Sequence, residues 1–142
     1  MSQNHIIADT GFWVALANEK DQYHALAKKA YQLYYKNLIT SYFVMTETCH
    51  LLLREIGVEA QIKFLRAYEI DAYKVFHLEK QHFPRLIELM QKYKALPMDL
   101  ADGSLVILAE HLGHGQILST DQRDFNTYRW KQTKPFENLL FS

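Results

Sequence analysis

One cysteine, three prolines and five glycines among 142 residues remove several classes of protein at the outset. With Cys49 standing alone there can be no internal disulfide and no thiolate zinc cluster, and the setting expected is cytoplasmic. No run of about 18 apolar residues occurs, so an ordinary membrane span is not expected. The opening Met-Ser-Gln-Asn-His has neither the basic region nor the apolar stretch of an export signal. An excess of one charge is lacking too, because 16 Lys and Arg balance 16 Asp and Glu. Taken alone, that balance argues against a strongly basic nucleic-acid binder. If four acids were neutralised by a metal, however, a surplus of four positive charges would remain, so net charge decides nothing. The seven histidines show no zinc-protease spacing, and His24, His50 and His114 read as solvated or satisfied side chains. No G-x-S-x-G elbow, no partner set for Cys49 and no phosphate-binding glycine loop is present. A D-x-D phosphatase would need an acid where Gly11 stands.

What the chain does have is apolar content: 49% of its residues are hydrophobic and 13% aromatic. That suffices to bury a real core and suits one helix-rich domain over residues 1–142. His5-Ile6-Ile7-Ala8 reads as a short buried strand stopped at Asp9-Thr10-Gly11, with a helix from about Gly11 to Ala17. Asp21 is expected to cap a second helix with Leu26, Ala30 and Leu33 on its apolar stripe. Residues 37–40 form a second candidate strand. Ser41 then caps a helix whose inward positions are Val44, Thr48, Leu51, Leu52 and Glu55 or Ile56, ended by Gly57. A helix over 58–68 carries Ile62, Leu65 and Arg66 at helical spacing, and 72–76 alternates like a half-exposed strand. Leu86, Leu89, Met90 and Tyr93 mark an amphipathic helix, and 100–112 is apolar nearly all round, as a central helix would be. Gly113 and Gly115 break it, 116–119 is a strand, and the tail shows little pattern. Strands alternating with helices predict an α/β fold with a short, mainly parallel sheet.

Four carboxylates stand out on this framework: Asp9, Glu47, Asp102 and Asp121. Asp9 and Asp121 follow apolar strands, where the crevice of an open α/β sheet receives ligands. Acids gathered there repel one another unless a cation lies between them, and a hard, oxygen-loving ion such as Mg²⁺ or Mn²⁺ suits them. Local roles compete with each. Asp9 could close an Asx-turn or cap the helix that follows it. Glu47 shares a helix face with His50 and Arg54, but lies beyond the first turn, where the helix dipole explains little. Asp99 looks like the N-cap of the buried helix, with Asp102 at the third position and small neighbours Ala101, Gly103 and Ser104 leaving room for a ligand. Of Asp121 and Asp124 one is expected to cap, and Asp121, nearer the strand end, is the better ligand.

In order and spacing these segments resemble the PIN domain, and within it the VapC-type toxins of bacterial toxin–antitoxin pairs. Asp9-Thr10-Gly11-Phe12-Trp13-Val14-Ala15-Leu16 resembles the family's opening D-T-G/S-x-x-I/V/L-A-L, and Asp21-x-x-His24 its D-x-x-H. Thr46-Glu47 falls at its helical glutamate. The run from Tyr93 to Asp102 with Leu108-Ala109-Glu110 resembles Y-x-x-x-P-M-D-L-A-D-A, and Ser119 to Phe125 resembles T-x-D-R-R-D-F. One departure is Gly103, where the family more often has Ala; it should loosen the helix by about 1 kcal/mol at most.

The resemblance implies a Rossmann-like three-layer α/β/α sandwich and an acidic metal pocket of Asp9, Glu47, Asp102 and Asp121. It further implies Mg²⁺- or Mn²⁺-dependent endoribonuclease activity through a metal-activated water, frequent homodimers, and inhibition by a neighbouring antitoxin that inserts a peptide segment. Asp99 and Asp124 would support the pocket. Thr10 and Thr120 would hydrogen-bond water or phosphate at its rim, and Arg123, Arg129, Lys131 and Lys134 would meet the RNA backbone, although an ordinary solvated surface explains these cations equally well. Two other functions stay open on sequence alone: a protein-interaction module with weak or no catalysis, and a metal-dependent nuclease of RNA processing or of DNA.

Overall fold

A computed structural model describes residues 4–142; the expected lack of an export signal bears partly on residues 1–3, which lie outside it. The helices are α1 (Thr10–Ala17), α2 (His24–Tyr34), α3 (Tyr42–Glu55), α4 (Val58–Glu69), α5 (Phe83–Lys92), α6 (Leu100–Leu112) and α7 (Gln122–Thr127). The strands are β1 (Ile6–Ala8), β2 (Leu38–Ser41), β3 (Lys74–Phe76), β4 (Gln116–Leu118), β5 (Arg129–Trp130), β6 (Lys134–Pro135) and β7 (Glu137–Asn138). Five of them form one parallel sheet in the order β3-β2-β1-β4-β7. With helices on its faces this is the α/β/α sandwich expected; β5 and β6 pair apart from it as an antiparallel hairpin.

Sheet order decides where the acids go. From β1 the chain moves outward to β2 and β3 on one side, while β4 returns to pair with β1 on the other. The crevice between the carboxyl ends of β1 and β4 is therefore the switch point at which such sheets bind ligands. Ile7, Ala8, Ile117 and Leu118 are fully buried there, so both strands are covered on both faces. The hydroxyl of Thr40 on β2 donates to the Ala8 carbonyl, 2.8 Å away, and further ties the two strands. Over the sheet lies α6, with Leu105, Val106, Leu108 and Ala109 buried, and the left-handed Gly113 (φ 83°) closes it.

Several helix faces turn differently from expectation. α2 buries Ala27 and Ala30, while Leu33 is 65% exposed and Leu26 also faces out, because small side chains let the helix lie close to α1. Asp21 does not cap α2; its carboxylate accepts the Tyr23 N–H (2.8 Å) and closes the turn before the helix begins. On α4 the inward residue is Phe64, which joins Trp13 and Tyr73 in an aromatic cluster, and Leu65 is exposed. The buried face of α3 runs through Val44, Thr48 and Leu52 and stops there, leaving Glu55 and Ile56 exposed. The tail is structured: it supplies α7, the hairpin and the edge strand β7, and it buries Phe125, Tyr128 and Leu140. Its strands are only two residues long, too short for an alternating pattern to register.

Candidate active site

Asp9 is the residue after β1 and the N-cap of α1, where its Oδ1 accepts the Thr10 N–H at 2.7 Å. Its Oδ2 accepts the hydroxyl of Ser119, just beyond β4, at 3.0 Å. Ser119 in turn accepts the Asp121 N–H at 3.0 Å, so one hydroxyl joins the ends of β1 and β4. Asn138 of β7 clasps the Ser119 backbone from outside, accepting its N–H (3.2 Å) and donating to its carbonyl (2.8 Å). Asp121 caps α7 by accepting the Asp124 N–H, as Asp99 caps α6 by accepting the Asp102 N–H at 2.8 Å. Both caps fix the starts of helices whose first turns bring Asp102 and Asp124 towards the group.

Capping is thus not an alternative to a site role for Asp9 and Asp121, since each does it with one oxygen. Asp9, only 6% exposed, has its pKa raised to about 6. Burial is the main cause, and the nearby Glu47 and Asp121 add to it, against the hydrogen bonds from Thr10 and Ser119. Asp102 is pushed up to about 8, first by burial and then by Asp9, Asp99, Asp124 and Asp121. Asp124 is buried and also raised, by burial and then by Asp121, with Arg123 opposing across a 3.3 Å ion pair. These carboxylates feel one another's charge, which is the electrostatic signature of a functional site more often than of a surface patch.

Glu47 reaches the group from α3, where Thr10 donates to its Oε1 at 2.6 Å. It makes no ion pair with Arg54, which contacts Glu55 instead. Thr10 is therefore buried and engaged, and not at the rim as expected. The small residues beside Asp102 serve packing and not ligand access. A Cβ on Gly103 would lie 2.4 Å from a methyl of Leu86 on α5, and Ser104 shares a 2.7 Å hydrogen bond with Ser41. Gly103 thus lets α5 and α6 approach closely.

Among the described residues no three His, Cys, Asp or Glu side chains already converge on one point that could hold an ion. Mg²⁺ does not require that, since it keeps several waters and is usually bound by one or two carboxylates together with substrate phosphate. The donor set is all hard oxygen, and among the described residues no cation offsets buried Asp9 or half-buried Asp102, so it fits such an ion. A cavity of about 600 Å³ lies elsewhere: it is lined by Trp13, His24, Phe64 and Tyr73 among others, and by none of the four acids. His24 is satisfied there, its Nδ1 2.7 Å from the Ala15 carbonyl.

Residues 6–131, which contain this entire acid group, match the sequence profile of the PIN domain family. The chain belongs to the PIN domain family. It is similar to Ribonuclease VapC26 of Mycobacterium tuberculosis, with 24% identity over 124 residues covering 87% of this chain and 92% of that protein. Its fold is similar to the crystal structure of VapC20 of Mycobacterium tuberculosis, a Sarcin-Ricin loop cleaving toxin. That likeness has a TM-score of 0.75 at 24% identity and covers 83% of this chain and 91% of the other.

Against this frame the basic residues near the site divide. Arg123 is well exposed beside Asp124. Nη1 of Arg129 donates to the carbonyls of Asn126, Thr127 and Tyr128 and so stitches the end of α7. Lys131 lies over the Trp130 ring, and Lys134 is exposed on β6. Ser119 and Asn138 were not anticipated as site residues. The serine directly after a strand and two before a candidate acid was a usable signal for the first; nothing local points to the second.

Proposed function

We propose that this PIN-domain protein is a Mg²⁺- or Mn²⁺-dependent endoribonuclease acting as the toxin of a toxin–antitoxin pair, within one domain over residues 1–142. The observation that carries the reading is the charge-coupled pair of acids, buried Asp9 and half-buried Asp102, at the switch point of the sheet. The names of its relatives, a ribonuclease and a Sarcin-Ricin loop cleaving toxin, agree with it.

In this reading Asp9 and Asp102 hold the principal cation, and Glu47 and Asp121 complete the acidic pocket. When bound, the ion supplies Lewis acidity and a water of lowered pKa for attack on a phosphodiester. Thr10 and Ser119 keep Glu47 and Asp9 in place, while Asp99 and Asp124 fix the starts of α6 and α7. Thr120, packed against Gly11, and Arg123 border the pocket and face the RNA. A cognate antitoxin and a homodimer are part of the same proposal.

The test is cleavage of structured RNA, single-stranded RNA and single-stranded DNA, with Mg²⁺ and with EDTA. RNA cut only with the metal is the expected result. Cleavage of DNA at a similar rate would reassign the substrate, and cleavage of neither, with no Mn²⁺ binding, would leave a protein-interaction module.

A further inference from the structure

Tyr128 is the largest side chain that the fold buries completely, yet it carries a polar group. A phenylalanine would fill the same space without the cost of burying a hydroxyl among apolar atoms. The ring is held edge-on by Tyr93, at 5.0 Å between centroids, and by Phe125, at 5.4 Å. Its backbone is held as firmly: the Tyr128 N–H donates to the Asp124 carbonyl at 2.8 Å, and the next N–H, of Arg129, donates to the Tyr93 hydroxyl at 2.9 Å. So placed, the Tyr128 hydroxyl points at Oδ2 of Asp102, 3.4 Å away, and among the described residues no other donor reaches that carboxylate.

We propose that Tyr128 is a positioning residue for Asp102, its fixed hydroxyl setting the orientation in which the carboxylate meets the cation. The inference rests on the proposed metal-dependent reading of the pocket. At 3.4 Å the bond is long, and a shift of about half an ångström by the carboxylate brings it into the ordinary range. A neutral donor suits the task. It orients the carboxylate through one oxygen and adds no positive charge to compete with the ion. Outer partners of this kind typically change metal affinity by about 10–100-fold when removed.

The experiment is a Mn²⁺ titration of thermal stability for wild type, Tyr128→Phe and Tyr93→Phe, with initial cleavage rates at low and saturating Mn²⁺. Tyr128→Phe is expected to unfold cooperatively and to need about tenfold more Mn²⁺ for the same rise in Tm. Its cleavage rate should return towards wild type at saturating Mn²⁺. Tyr93→Phe removes a hydroxyl that touches only backbone, and its Mn²⁺ dependence should match wild type within about twofold. Equal Mn²⁺ dependence in Tyr128→Phe and wild type overturns the positioning role while leaving the metal site standing. So does a Tyr93→Phe shift as large as that of Tyr128→Phe, or a Tyr128→Phe protein that does not fold, since either makes the role structural. No Mn²⁺ response in wild type overturns the metal reading itself, and the positioning role with it.

Discussion

The hydroxyl of Thr10 donates to Oε1 of Glu47 at 2.6 Å, joining the first turn of α1 to the middle of α3. Since the Thr10 N–H also binds Asp9, a single residue places two acids that lie 38 positions apart in the chain. Thr10→Val keeps the shape and removes the donor, leaving Glu47 unanchored. Cleavage should fall by roughly 10-fold or more, in line with the loss of an outer hydrogen-bond partner, while Tm drops by only a few degrees. Thr10→Ser should retain most of the activity. Equal rates for Val and wild type would detach Glu47 from the chemistry.

Asp102 also predicts a pH dependence. With its carboxyl raised from 3.8 to about 8 in the folded protein, the folded state binds a proton that the unfolded chain releases across that interval. The resulting stability is fully present below about pH 4 and is lost as pH rises through about 8. Asn mimics the neutral acid at every pH. In EDTA, Asp102→Asn should therefore melt near wild type at pH 4.5 and above it at pH 8.5. For each kcal/mol of difference the gap is roughly 2–4 °C in a chain of this size. A gap that does not change with pH would mean Asp102 is ordinarily ionised in the folded protein.

Gly11 is required by contact and not by backbone angle. A Cβ there would lie 1.8 Å from the Thr120 hydroxyl oxygen and 3.0 Å from its Cβ, where α1 meets the loop after β4. Gly11→Ala should cost about 1–3 kcal/mol of stability, as overpacking does, measured by denaturant unfolding. Adding Thr120→Ala should recover part of that loss. An undiminished stability in Gly11→Ala would show that the loop after β4 can move aside.

The parts of this fold visible in the sequence are those built from local pattern. Continuous apolar runs marked β1, β4 and α6, and Ser41, Asp99 and Gly57 marked helix ends where the structure has them. Less visible were features that depend on the neighbour. Leu33 and Ala30 share an apolar pattern, yet only close packing on α1 decides that the smaller residue goes in. Glu47 could be singled out for its place in the helix, but its partner Thr10 is far away in sequence, and only the fold joins them. The clasp of Asn138 on Ser119 comes from a two-residue edge strand with no pattern to read.

The most direct test is the initial rate of RNA cleavage by wild type, Asp9→Asn and Asp102→Asn at saturating Mg²⁺, with thermal unfolding of each. Folded Asn variants that lose cleavage by about 10³-fold or more, some 4 kcal/mol of transition-state stabilisation, are predicted. Folded Asn variants that cleave at the wild-type rate would contradict an acidic pocket as the seat of the chemistry.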